Sequence, residues 1–184
     1  MKNLFLFFSF ASFLFNISCT DDTTAPDNSL QYVKGDLLVG ITSQTEVEAV
    51  FDLMNRLNFS IDHMSGFFYY SSWPEDSINF LVDYLSSIKY LNSRGFSISE
   101  NSVYYYQPEN KIRVLTFFFD MNKVNQMDWL EQLEKLDLIG SNGENKDMLI
   151  KVPVGTEIFW QEKLKENEII RWTQLNYIGG IVPH

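Results

Sequence analysis

The sequence predicts an α+β fold made of two consecutive βαββαβ units, each an antiparallel sheet with its two helices on one face. Three observations predict it. Residues 37–91 lie on residues 116–170 at a constant offset of 79 without a gap, placing Leu57 on Leu136, Pro74 on Pro153, Phe80 on Phe159 and Leu85 on Leu164. Within each copy, short apolar runs of strand type alternate with stretches whose apolar residues recur at helical spacing. Aromatic residues make up 16% of the chain, which supplies the bulky apolar surface of a substantial core.

In the first copy, Asp36 to Ile41 reads as a strand. Val47, Val50, Phe51, Met54 and Leu57 follow as one face of a helix. Phe59 to His63 and Phe67 to Ser71 are expected as two strands, with Met64-Ser65-Gly66 as the hairpin turn between them. Pro74 suits a helix opening, where its missing N–H is not needed, and Ile78, Leu81, Val82, Leu85 and Ile88 give that helix a buried face. A closing strand is expected between Phe96 and Tyr106.

The second copy repeats the order. Ile112 to Phe119 reads as strand and Asn125 to Leu136 as helix; Leu138-Ile139 and Met148 to Val152 form a hairpin around Asn142-Gly143; Glu157 to Lys165 is helix and Ile169 to Ile178 strand. A split βαβ unit of this kind is the ferredoxin-like arrangement, so the expectation is two tandem ferredoxin-like repeats, residues 31–107 and 108–184, meeting at Gln107-Pro108-Glu109-Asn110. That boundary is too short for free movement, and Tyr104 to Tyr106 with Phe117 to Phe119 are expected to form a hairpin joining the two sheets.

Ahead of the repeats, Lys2 precedes the run Leu4 to Phe15, which is apolar except at Ser9 and Ser12, and Asn16-Ile17-Ser18 leads to the chain's one cysteine, Cys19. The pattern is that of a secretory signal peptide, residues 1–18. Ile17-Ser18-Cys19 resembles the bacterial lipobox, which implies lipidation of Cys19 and anchoring to the bacterial outer membrane on its periplasmic or cell-surface side. Residues 19–30 then serve as a polar, acidic tether; Asp21-Asp22 reads either as a routing signal to the cell surface or as solvated linker. A single cysteine allows no disulfide within the chain.

Charge and composition narrow the function classes. The formal charge is -10, and it becomes -11 once residues 1–18, with Lys2, are removed, so nucleic acid is not an expected partner. Ser65-Gly66-Phe67-Phe68-Tyr69-Tyr70 also lacks the basic residue of the aromatic RNA-binding signature. His63 and His184 stand far apart, and His63 beside Asp62 reads as a solvated pair. Nothing has the spacing of a transition-metal site or a phosphate-binding glycine loop. Asp120, Asn122, Glu144 and Asp147 lack the order of a calcium loop and read as surface groups. No catalytic residue, metal or cofactor is expected.

Two segments resemble the propeptide domains of subtilisin-like serine peptidases and the free-standing inhibitors related to them. Tyr32-Val33-Lys34-Gly35-Asp36-Leu37-Leu38-Val39-Gly40-Ile41 is similar to their first strand. Val152-Pro153-Val154-Gly155-Thr156-Glu157, continuing through Trp160 and Leu164 to Ile170-Arg171-Trp172-Thr173-Gln174-Leu175-Asn176-Tyr177, is similar to their closing helix and strand. The opening motif lies in the first copy and the closing motif in the second, whereas a propeptide carries both in one domain. The resemblance implies the fold and, through it, inhibition of an exported subtilisin-like peptidase in trans, since no peptidase follows before His184. It also implies a partner-binding tail: Asn176, Tyr177, Ile178, Gly179, Gly180, Ile181 and Val182, with glycines that let another backbone approach and Pro183 keeping the preceding residue extended. The alternative is a tail docked on its own domain.

The expected function is therefore that of a non-catalytic, membrane-anchored lipoprotein acting as a binding or accessory module. Two alternatives stand beside it: an inhibitor or chaperone of an exported subtilisin-like serine peptidase, and a small-ligand sensor binding between the repeats.

Overall fold

The computed structural model describes residues 31–143 and 145–178. Its elements, in chain order, are β1 (Tyr32–Ile41), α1 (Val47–Leu57), β2 (Ser60–Ser71), α2 (Ile78–Ser86), β3 (Val103–Tyr106), β4 (Lys111–Met121), α3 (Lys123–Lys135), β5 (Leu138–Ser141), β6 (Lys146–Lys151), α4 (Glu157–Leu164) and β7 (Ile170–Tyr177). The fold is α+β, with one antiparallel sheet of seven strands and four helices.

Local chemistry sets the helix ends. Asn122 caps α3 by accepting the N–H groups of Val124 at 3.0 Å and Asn125 at 3.1 Å, which satisfies two donors the first turn leaves open. Helix α1 stops at Asn58 (φ 57°), and the chain leaves α3 through Asp137 (φ 51°). Both residue types tolerate the left-handed region better than most, and the two positions are related by the offset of 79.

The strand order is β3-β4-β2-β6-β1-β7, with β5 pairing the part of β2 beyond β6. Taking β5 and β6 as one interrupted strand, the order reads the same from either edge: third strand of one half, first of the other, then the two second strands, then first and third again. Thus β1 lies between β6 and β7, and β2 lies between β4 and the β5/β6 pair. The repeat survives as a pseudo-twofold of one shared sheet. Two tandem units with separate sheets are not what the pairing shows, because each of the seven described strands pairs only with strands of the other half. The Gln107–Asn110 boundary is the turn of the β3–β4 hairpin, and Tyr104 to Tyr106 pair with Lys111 to Arg113, not with Phe117 to Phe119.

The expected hairpin at Met64-Ser65-Gly66 is also corrected. Residues Ser60 to Ser71 form one continuous strand, and Gly66 (φ 79°) sits where its register with β4 slips between Met64 and Phe67. A positive-φ glycine serves a bulge as well as a turn.

All four helices cover one face of the sheet. Side-chain contacts run from α2 to α3 (Tyr84 to Gln132, 2.7 Å), from α3 to α1 (Asn55 to Gln126, 2.7 Å), and from α1 to α4 across a recess lined by Leu53, Leu57, Trp160 and Leu164. The core lies between. Leu37, Val39 and Ile41, with Ile61, Met64, Phe67 and Tyr69, and with Val114, Phe118, Met148 and Ile150, point inward, alternating along each strand except where β2 slips register between Ile61 and His63 and between Met64 and Phe67. Trp129 on α3 is fully buried against Tyr69 and Phe118, with ring centroids at 5.2 and 5.0 Å, and its indole N–H donates to the Tyr69 hydroxyl at 3.2 Å.

Candidate functional site

Strand alternation sends a second set of side chains to the helix-free face. From β2 come Phe68 and Tyr70, from β3 Tyr104 and Tyr106, from β4 Lys111 and Arg113, and from β7 Trp172; all are half-buried. The register brings the middle of this set together, because Arg113 lies opposite Tyr70 on one side and Tyr104 on the other. The Arg113 guanidinium stands 4.3 Å from the Phe68 ring centre, 5.7 Å from that of Tyr106 and 6.0 Å from that of Tyr70. Lys111 stands 5.9 Å from the Tyr70 ring. Each such contact with a ring face is worth about 0.5–2 kcal/mol, depending on how far water is excluded.

Arg113 also carries an unmet need. Its Nε is buried and has no hydrogen-bond partner, the only such buried side-chain atom among the described residues. A buried donor left unpaired costs about 1–3 kcal/mol, so this group calls for an explanation. Beside it opens a cavity of about 390 Å³, lined by Gly66 and Phe68 from the first half and by Arg113, Asn142, Gly143 and Asn145 from the second. Gly66 and Asn145 face each other so closely that a Cβ on Gly66 would collide with the Asn145 carbonyl. The cavity therefore lies at the junction of the two halves. Tyr70 keeps its proton above the usual range because burial raises its pKa; Arg113 opposes that and Glu109 adds to it.

The rest of the open face is tied by charge pairs. Asp36, 5% exposed, accepts from Lys151 at 2.6 Å and from Asn176 at 3.0 Å. Asp62 accepts two bonds from Arg94, at 2.6 and 3.0 Å, and pairs with His63 at 3.1 Å. His63 lies on β2. Arg94 holds the Asp62 carboxyl well below the usual carboxylate range, against the opposing effect of burial and with help from His63. Of the four residues weighed for calcium, Asp120 faces Arg94, Asn122 caps α3, Asp147 accepts from Ser65 at 2.6 Å, and Glu144 lies outside the described residues. No group of three or more metal-binding side chains occurs among the described residues.

The expected tail divides. Asn176 is held by Asp36, Tyr177 packs edge-on against Tyr32 with centroids 6.5 Å apart, and the Ile178 N–H donates to the Gln31 carbonyl at 2.7 Å. These three are docked on the chain's own first strand, although the Ile178 side chain is exposed. Gly179, Gly180, Ile181 and Val182, and Cys19 at the other end, lie outside the described residues. Arg113 escaped the sequence reading; its local signal is a cation that, like Lys111 two residues earlier, takes an outward position beside the apolar residues of β4. Comparison with family models, with curated proteins and with solved structures finds no match to this chain.

Proposed function

We propose that the chain is a non-catalytic binding module, carried on a bacterial outer membrane by a lipid on Cys19, that meets its partner with the helix-free face of the sheet. The interlocked halves then act as a nested pair of ferredoxin-like units, with one sheet face spent on the helices and the other available. The observation that carries the reading is the Arg113 guanidinium set among Phe68, Tyr70 and Tyr106 beside an open recess. Aromatic rings with arginine are the groups that dominate recognition surfaces. The signal-like segment before Cys19 supports the anchor, and no described helix is long and apolar enough to cross a membrane.

The test is capture from solubilised membranes by the native chain, by a Tyr70→Ser/Tyr106→Ser variant, and by a Phe159→Ser control on the exposed side of α4. Partners kept by the control and lost with the double variant support the reading; capture indifferent to both variants refutes it.

One observation favours the inhibitor reading as a second proposal. The opening and closing segments that resemble a peptidase propeptide, separate in sequence, are neighbours in the sheet, since β1 lies between β6 and β7. Strand β7 is also a sheet edge that ends at the tail. Inhibition of a subtilisin-like peptidase by the full chain, lost when residues after Tyr177 are removed, would move this reading ahead of the first.

A further inference from the structure

The geometry points to the Arg113 recess as a binding site for a small oxyanion, a carboxylate or a phosphate group, gripped by the guanidinium edge that carries Nε. This rests on the open face being the recognition surface and names the chemistry recognised there. The guanidinium carbon stands over the Phe68 ring, 4.3 Å from its centre, which holds the group in place at the recess before a ligand arrives. The Nε donor has no partner in the chain, and an oxyanion takes Nε and a neighbouring N–H together as two parallel bonds. Gly66, Asn142, Gly143 and Asn145 complete the lining of the same cavity beside Arg113 and Phe68, so it is walled by small and polar residues. Lys111, on the same strand and near Tyr70, adds positive charge. A chain of net charge -10 does not draw anions from a distance, so selectivity arises by contact inside the recess.

The experiment titrates the full chain, in neutral detergent at constant ionic strength, with inorganic phosphate, acetate or chloride, following the Arg113 Nε–H signal by NMR. A saturable shift with phosphate or acetate that chloride does not reproduce is the expected result. Saturation with phosphate alone assigns the ligand to phosphate esters, and saturation with acetate extends it to carboxylates. Arg113→Lys, which keeps the charge and loses the fork, should weaken binding at least about tenfold, read from the Gly143 amide with the Trp129 indole signal as the check on folding. Shifts no larger than chloride's overturn the proposal without any variant. If neither anion binds while capture still depends on Tyr70 and Tyr106, the oxyanion assignment alone falls.

Discussion

Glu157, the first residue of α4, accepts the backbone N–H of Gly35 in β1 at 2.6 Å, across 122 residues of sequence. Its second oxygen takes the N–H of Gly155 at 2.9 Å, and the side chain is 1% exposed. Gly35 has φ 81°, and its carbonyl accepts from the Val152 N–H at 2.8 Å. One carboxylate therefore fastens the start of β1 to the start of α4.

Truncation at this clasp should be costly. Glu157→Ala leaves two backbone donors without their acceptor and is expected to lower the unfolding free energy by about 2–4 kcal/mol, with Glu157→Gln losing less because one oxygen remains. Bonds from its own N–H and from Gly35 and Gly155 hold the Glu157 carboxyl below its ordinary pKa, against burial. A carboxyl with a depressed folded pKa contributes stability above its unfolded value and loses it as pH falls through the folded value. Denaturant curves should show the wild type and Glu157→Gln well separated at neutral pH and converging below about pH 4.

The Asp62–Arg94 pair should titrate with the same sign. Arg94 is 45% exposed, so Arg94→Gln should cost no more than about 1 kcal/mol, yet it removes the main cause of the low Asp62 pKa. A carboxyl ¹³C titration should find Asp62 ionised throughout the usual carboxylate range in the wild type and moved back toward that range in the variant. Unchanged Asp62 titration would mean that Arg94 does not set it.

The repeat was legible because its marks are local. Asn58 and Asp137 both leave a helix with positive φ, and Leu85 and Leu164 are both buried, each pair at the offset of 79. The interlocking was not legible, because which strand pairs with β1 depends on surfaces that meet only in the finished sheet. Gly66 was misread for a related reason: positive φ at glycine fits a hairpin turn or a bulge equally, and the β4 register decides. Arg113 shows in sequence only as an outward-pointing position; its recess is completed by residues 142, 143 and 145 and by β2.

Equivalent positions need not be equally buried. Leu57 and Leu136 are related by the repeat, but Leu136 has no exposed surface while Leu57 is only partly buried. Leu136→Ala should cost about 2–5 kcal/mol and Leu57→Ala clearly less. Equal losses in paired denaturant titrations would show that the halves pack more symmetrically than these exposures indicate.

The junction of the halves offers the most exacting test of the shared sheet. Gly66 combines φ 79° with a close approach to the Asn145 carbonyl, so Gly66→Ala meets backbone strain and a collision with backbone that cannot swing aside as a side chain can. Strain of this kind costs about 1–3 kcal/mol before the collision is counted. If β2 and the β5/β6 strand meet here as described, the variant should be destabilised by at least that much, and amide exchange should rise first at Phe68, Gly143 and Lys146, on both sides of the junction. Were Gly66 instead the tip of a hairpin between two short strands, an alanine would still meet the φ strain, but residues 143–146 would keep their protection, and that result would restore the tandem arrangement.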